Sequence, residues 1–297
     1  MSSLQSDLSA QPRPDVTSAA SAAPGVALLT QHGKEDLIAP VFQRALGWRV
    51  ERVDGFDTDL LGTFTRDRER PGSQIDAARI KARKGMELSG CRRGLASEGA
   101  FMEDPVGGFF PWNVELLVYI DDERGLEVTG MAQGAAANVH KWVNSWDELL
   151  QAANEARFPS HHLVLRPDDE NHPHVIKGVS GEGGLRAAYE AALAQSTRGV
   201  VFVESDLRAF ANPTRQGLIV AAAENLVAKL ASLCPVCQCP GYAPVSPLCG
   251  LPCRQCGTPT RGLLGERWRC GGCGHEADVL QTRVRWADPA QCDRCNP

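Results

Sequence analysis

Eight cysteines in four C-x-x-C pairs, Cys234/Cys237, Cys253/Cys256, Cys270/Cys273 and Cys292/Cys295, carry the most specific chemical signal in the sequence. Two thiols at this spacing reach one metal ion from a tight knuckle, and four thiolates complete the tetrahedral shell of a structural zinc. Without secretory features in the chain, such pairs read as metal ligands before they read as disulfides. The inner pairs flank a 13-residue, hairpin-like segment, as in zinc ribbons. The expected arrangement is therefore nested, with Cys253, Cys256, Cys270 and Cys273 around one zinc and Cys234, Cys237, Cys292 and Cys295 around the other. Sequential and interleaved pairings stay open, and Cys239 and Cys249 are further thiols that could substitute in a site. Four thiolates leave no open position for water, so both ions are expected to be structural. A redox role is less favoured, because no pair opens a thioredoxin-like βαβ helix.

A second set of residues suits phosphate chemistry. Thr30, Gly33 and Lys34 lie in the turn TQHGKED, between an apolar run and a helical stretch. Backbone N–H groups and the helix dipole favour an anion at such a place. There is no Walker motif, so the turn is not a P-loop. Lys81 lies with Arg79 and Arg83 on a helix that Ser73 caps. Thr214 and Arg215 open a late helix, with Thr214 the expected N-cap. The candidate carboxylates for a hard metal are Glu98, Glu204 and Asp206, with Asp57 and Asp59 in the loop 54–72. Glu98 is a lone acid among small residues in RRGLASEGAF, with Ser97 and Gly99 on either side. Mg²⁺ typically takes one or two protein carboxylates, completed by phosphate oxygens and water. Taken singly, each of these residues also fits a bland role, as a capped turn, a solvated cation or a satisfied loop acid.

The elements that must position these groups follow from periodicity. An apolar run at 25–30, a helix with apolar residues at three- and four-residue spacing through 37–46, and an alternating run at 48–53 make a β-α-β opening. Ser73, with Asp76 three residues on, starts a helix that Gly90 stops. Strands are expected at 92–101, where Glu98 falls near the end, and at 114–120, 126–131, 161–166, 175–179 and 199–204. Helices are expected at 144–157, 185–195 and 216–232. This pattern gives a disordered polar leader at 1–24, an α/β domain at 25–232 with a mixed sheet flanked by helices, and a zinc-ribbon tail at 233–297. The tail is short for a hydrophobic core, so metal would supply its folding energy.

Thr30 with Lys34, the helix segment Gly72 to Arg83, the strand residues Ser97 to Phe101, and Thr214 with Arg215 together resemble the inosine/xanthosine triphosphatase families. The resemblance covers roughly 25–131 and 205–230. It implies an elongated α/β fold that binds a noncanonical nucleoside triphosphate, with Mg²⁺, and releases a monophosphate and pyrophosphate. On that reading Glu98 holds the magnesium, aided by Asp206 or an acid of 57–59. Lys34 and Arg215 bind phosphate, and Thr30, Gly33, Lys81, Ser97 and Thr214 line the substrate. Gln31 departs from the pattern, standing where an Asn usually begins the phosphate loop. Residues 132–204 and the cysteine tail have no counterpart there. The layout FDTDLLGTF, LASEGAF, ESDLRAFANPTR, GLPCRQCGTPT and CDRCNP also resembles an uncharacterised bacterial family whose domain has no assigned function.

Composition narrows the class. The chain has 297 residues, 43% of them hydrophobic, and a formal charge of -5, which gives no general attraction to nucleic acid or anionic membrane. No run approaches the length of a membrane span, and the start lacks the features of a signal peptide, so a cytoplasmic location is expected. From Cys234 onward there are seven Arg, no Lys and five acids. Two zinc tetrathiolate centres of about -2 each turn that surplus slightly negative. Nucleic acid is therefore a less favoured partner of the tail, despite Arg267, Arg269, Arg283 and Arg285 near Trp268 and Trp286. The favoured function is a Mg²⁺-dependent nucleotide phosphohydrolase, acting on a nucleotide or another phosphorylated small molecule. The alternative is a non-enzymatic zinc-ribbon adaptor that contacts protein or nucleic acid. A homodimer is left open.

Overall fold

The computed structural model describes residues 25–31, 33–58 and 72–297. The leader 1–24, Asp59 and most of the loop expected at 54–72 lie outside the described residues. The chain builds a five-stranded sheet from β1 (Gly25–Leu29), β2 (Arg49–Val53), β3 (Arg93–Glu103), β4 (Pro111–Asp121) and β5 (Leu126–Ala135), in the order β2-β1-β3-β4-β5. β1 runs parallel to both β2 and β3, whereas β3, β4 and β5 are antiparallel neighbours. The sheet is therefore mixed, as expected.

Helices α1 (Glu35–Leu46) and α2 (Gln74–Ser89) cover opposite faces of this sheet. Val26, Leu28, Leu95, Leu117 and Tyr119 join α1 and a later helix, α5 (Pro213–Ala231), in one core. Ala96, Leu116, Val118 and Ile120 pack instead against Ala78, Ala82 and Met86 of α2. β4 is buried on both faces from Asn113 to Asp121, which explains its nearly continuous apolar sequence. α2 begins as its sequence requires, with a reciprocal capping box between Ser73 and Asp76, and ends at a left-handed Gly90.

Between β5 and α5 the chain forms a second sheet from β6 (His140–Val143), β7 (Leu163–Pro167), β8 (Ile176–Val179) and β9 (Val201–Ser205), in the order β6-β9-β7-β8. With α3 (Trp146–Glu155) and α4 (Glu182–Gln195) it encloses its own core around Leu149, Leu163, Leu165, Leu185 and Val203. The segment 25–232, read as one mixed sheet, thus holds two sheets. β6 is four residues long and mostly exposed, too short for period-2 alternation to announce it.

The tail carries a three-stranded antiparallel sheet, β10 (Ala243–Cys249), β11 (Leu263–Arg269) and β12 (Glu276–Leu280). It is docked onto the body. The Gly241 N–H donates to the carbonyls of Lys229 and Ser232 at the end of α5. Gly241 has φ +87°, and a Cβ there would lie 2.7 Å from Val128 Cγ2, so only glycine lets the backbone approach β5 this closely. No helix among the described residues is long and apolar enough to cross a membrane.

Candidate functional site

The pairing of β1 with β3 ends at Leu28 and Leu95, while β3 continues to Glu103. Glu98 is therefore not at a strand end, as the sequence suggested. It sits in mid-strand, just beyond the point where the neighbouring β1 stops. Because the chain leaves β1 over one face and returns to β3 over the other, this is a switch point of the kind where open α/β sheets bind ligands.

Three buried cations and two buried carboxylates gather there. Lys34, at the N-cap of α1, donates from Nζ to the Ser97 carbonyl at 3.0 Å and lies 3.5 Å from the Ser97 hydroxyl. Gly33, at φ +72°, supplies the left-handed residue that turns the chain into this helix. On the α2 face, the Lys81 ammonium pairs with Glu98 Oε1. On the α5 face, Arg215 Nε donates to Glu115 Oε1 at 2.7 Å, with side chains 2% and 0% exposed. Gly99 makes room for that pair, since a Cβ on it would collide with both Glu115 and Arg215. Gln74, in the first turn of α2, ties β3 to β4 by donating to the carbonyls of Glu98 and Val114, each at 2.9 Å.

Lys34 reports the electrostatics of the whole group. Burial, then the Arg215 guanidinium, lower its pKa to about 8, while Glu115 and Glu98 pull it up and Lys81 adds to the lowering. Among the described residues of the cluster, three cations face two carboxylates, a surplus of one positive charge in a buried place. That balance suits an anion.

The remaining expected residues fall elsewhere or take other roles. Thr30 is buried at the end of β1, with its hydroxyl directed to the Gln31 carbonyl, and Gln31 accepts from Thr58 at 3.1 Å. Asp206 is not brought to Glu98 by any bond. Its carboxylate accepts from the Gly178 N–H and is clamped by Arg208, so it fastens the second sheet. Thr214 is not the N-cap of α5. That role belongs to Asn212, whose side chain accepts from the Arg215 N–H, with Pro213 at the first helical position. The Thr214 hydroxyl instead meets His161 Nε2 at 2.9 Å. Glu204 lies 3.5 Å from Arg166 within the second sheet.

Two residues of the cluster escaped the sequence reading. Glu115 and Asn113 are both buried in β4, inside the apolar run PWNVELLVYID. An acid within such a run is the same signal that singled out Glu98. Asn113 is 1% exposed, and neither its Oδ1 nor its Nδ2 has a hydrogen-bond partner among the described residues.

The cysteines form two groups, Cys234, Cys237, Cys270 and Cys273, and Cys253, Cys256, Cys292 and Cys295. The pairing is interleaved, which corrects the nested expectation. β10 starts beside the first knuckle and ends near the second, and β11 runs back antiparallel from the second to the third, with Ala243 opposite Arg269 and Cys249 opposite Leu263. The segment between the second and third knuckles is thus a strand leading away, roughly 24 Å long for seven residues, and not a hairpin that reunites them. Sulfur separations of 3.7 Å (Cys234–Cys273), 3.6 Å (Cys237–Cys270), 3.9 Å (Cys253–Cys295) and 3.7 Å (Cys256–Cys292) match the edge of a tetrahedron. Zn–S bonds of about 2.3 Å give an edge of about 3.8 Å. All four knuckles share one bond, from the residue after the second cysteine back to the carbonyl of the first: Gln238 to Cys234, Gly257 to Cys253, Gly274 to Cys270 and Asn296 to Cys292, at 2.8 to 3.0 Å. Each group can therefore hold a zinc ion. Cys239 and Cys249 belong to neither group.

No curated protein matches the chain. A family model, a domain of unknown function designated DUF6671, matches residues 81–297 and so includes Lys81, Ser97, Glu98, Asn113, Glu115, Arg215 and all eight paired cysteines, while Thr30, Gly33 and Lys34 precede it. The chain belongs to the DUF6671 family.

Proposed function

We propose that this chain is a nucleotide phosphohydrolase that converts a noncanonical nucleoside triphosphate to its monophosphate and pyrophosphate with Mg²⁺, and that its cysteine groups hold two structural zinc ions. The observation that carries the reading is the meeting of Lys34, Lys81 and Arg215 with Glu98 and Glu115 beyond the end of β1. The likeness to inosine/xanthosine triphosphatases belongs to the proposal, as does the magnesium.

The donor set fits a metal–nucleotide complex better than a bare ion. Each carboxylate already faces a cation, and the surplus positive charge repels free Mg²⁺. A Mg²⁺–triphosphate complex brings its own negative charge, and Glu98 would then supply one of the one or two protein carboxylates that Mg²⁺ usually takes. When bound, the ion would offset charge on the phosphate oxygens and acidify the attacking water. Lys34 and Arg215 would donate to non-bridging phosphate oxygens, from positions whose burial strengthens each contact. With Lys81 drawn to phosphate, Glu98 could orient a water. The water oxygen forms a new bond to the α-phosphorus, the bond to the bridging oxygen breaks, pyrophosphate leaves, and the proton passes to the carboxylate.

A binding module without turnover is the second reading. It draws on the same pairs, since Glu98 and Glu115 are each neutralised before any ligand arrives. A panel of nucleoside triphosphates with Mg²⁺ or Mn²⁺, read for pyrophosphate and for orthophosphate, separates the two. Pyrophosphate release that Glu98→Gln lowers by about 10²-fold or more supports the hydrolase. No turnover on any nucleotide, with salt-sensitive binding of RNA or DNA, supports the binding module.

A further inference from the structure

We propose that Asn113 reads the non-phosphate part of the ligand, pairing its amide with a planar heterocyclic edge that carries a donor beside an acceptor, as a nucleobase does. The inference rests on the nucleotide reading and adds to it the residue that would recognise the base.

Other deeply buried polar side chains of the described residues show what full satisfaction looks like. Asp121 accepts from Tyr119, Arg124 and two backbone N–H groups. Asp168 accepts from Ser196, Thr197 and Arg198, and Asn212 caps α5. Asn113 has both polar atoms orphaned, which is true of no other side chain among the described residues. An unpaired buried amide is costly, and leucine would fill the same strand position without that cost. Such a group is explained when its partner is a ligand.

Its position supports this. Asn113 precedes Glu115 by two residues on β4, so both project from the face covered by α5, about 7 Å apart along the strand. Asn113 is therefore the next side chain beyond the Glu115–Arg215 pair, at the distance a sugar would span from a bound phosphate. Its cross-strand neighbours are Phe101 and Gly134. Gly134 contributes no side chain on β5, where an added Cβ would only touch Leu218 at 3.4 Å. The amide offers one acceptor and one donor group side by side, which matches an edge of complementary pattern. A ligand without that edge would leave the amide unpaired, and this is how a buried polar group discriminates.

The test compares two probes, the Mg²⁺ complexes of the α,β-methylene analogue of inosine triphosphate, whose bridge the proposed attack at the α-phosphorus cannot break, and of inorganic tripolyphosphate, which has no base. Calorimetry should give the wild-type chain at least about tenfold tighter binding of the nucleotide. In Asn113→Leu that ratio should fall to near one, and the unliganded variant should melt no lower than wild type, because the orphaned amide is gone. Asn113→Ala should lose the ratio too, which guards against a leucine that fits poorly. A retained tenfold ratio in both variants overturns the inference. So does a lowered melting temperature in both, which would mark the amide as structural. If the wild-type chain binds both probes equally, the phosphate site stands and the role of Asn113 falls. If it binds neither, the phosphate site falls as well.

Discussion

The cysteine ligands of the tail sit on knuckles outside the strands, whereas the two carboxylates of the body's charged cluster sit in the middle of strands. In the tail, each knuckle brings its two ligands together by local geometry, so residue type and spacing identify every ligand. What spacing cannot give is which knuckles share an ion, because that depends on where β10 and β11 end. In the body the bonds that assemble the cluster join residues from different elements. Lys34 and Ser97 are 63 positions apart, and Glu115 and Arg215 are 100 apart. Their meeting is made by the order of the strands, which periodicity does not encode. Local chemistry is thus readable from a chain, and the assembly of distant groups follows topology.

The largest predicted effect breaks the tail half of this comparison. Structural zinc is worth an apparent 10–16 kcal/mol or so in small modules, so chelation should unfold the tail. Metal analysis should find two zinc ions per chain. Cys234→Ser and Cys270→Ser should release the same ion, and Cys253→Ser and Cys292→Ser the other. Release of one ion by Cys253→Ser together with Cys270→Ser would restore the nested arrangement. Loss of the first ion should also loosen the end of α5 in hydrogen exchange, because that knuckle leads into the Gly241 contact with β5.

A second prediction addresses the body. Arg215→Met leaves the Glu115 carboxylate buried without its partner and should cost about 3–5 kcal/mol in denaturant unfolding. The double variant Arg215→Met with Glu115→Met should recover most of it. If the single and double variants are equally unstable, the pair has no special role in the cluster.

How far the site was legible varies along the chain. The capping box at Ser73, the helix stop at Gly90 and the turn that starts a helix at Lys34 were plain, because each is a matter of neighbouring residues. Glu98 was visible as a lone acid among small residues, yet its place in mid-strand was not, because the end of pairing belongs to β1. Asp206 carried the right chemistry, but its partner Arg208 lies two residues on and claims it locally. Glu115 was hidden for the opposite reason. The apolar run around it marked a buried strand and drew attention from the charge within. Three strands of the second sheet were read, at 161–166, 175–179 and 199–204, but their gathering into a separate sheet depends on pairing, and the fourth, β6, shows no alternation.

A smaller effect sharpens the same cluster. Lys34 loses its proton near pH 8 in the folded chain, against 10.5 for an ordinary lysine. The folded state therefore binds fewer protons than the unfolded state across that window. The cost of burying the charged ammonium is present below pH 8 and fades as pH rises toward 10.5. Anion binding should move in the opposite sense and weaken as pH climbs through about 8. Tripolyphosphate affinity measured from pH 6.5 to 9.5, by roughly half-unit steps, checks this. Lys34→Met should bind weakly throughout and lose the pH dependence.

Phosphorus NMR of the wild-type chain with Mg²⁺ and a noncanonical nucleoside triphosphate tests the central claim most directly, since it distinguishes every phosphate product. The account predicts that the triphosphate resonances give way to those of a monophosphate and pyrophosphate, and that Glu98→Gln stops this while remaining folded. A spectrum that stays unchanged, or that gives a diphosphate and orthophosphate, would contradict it.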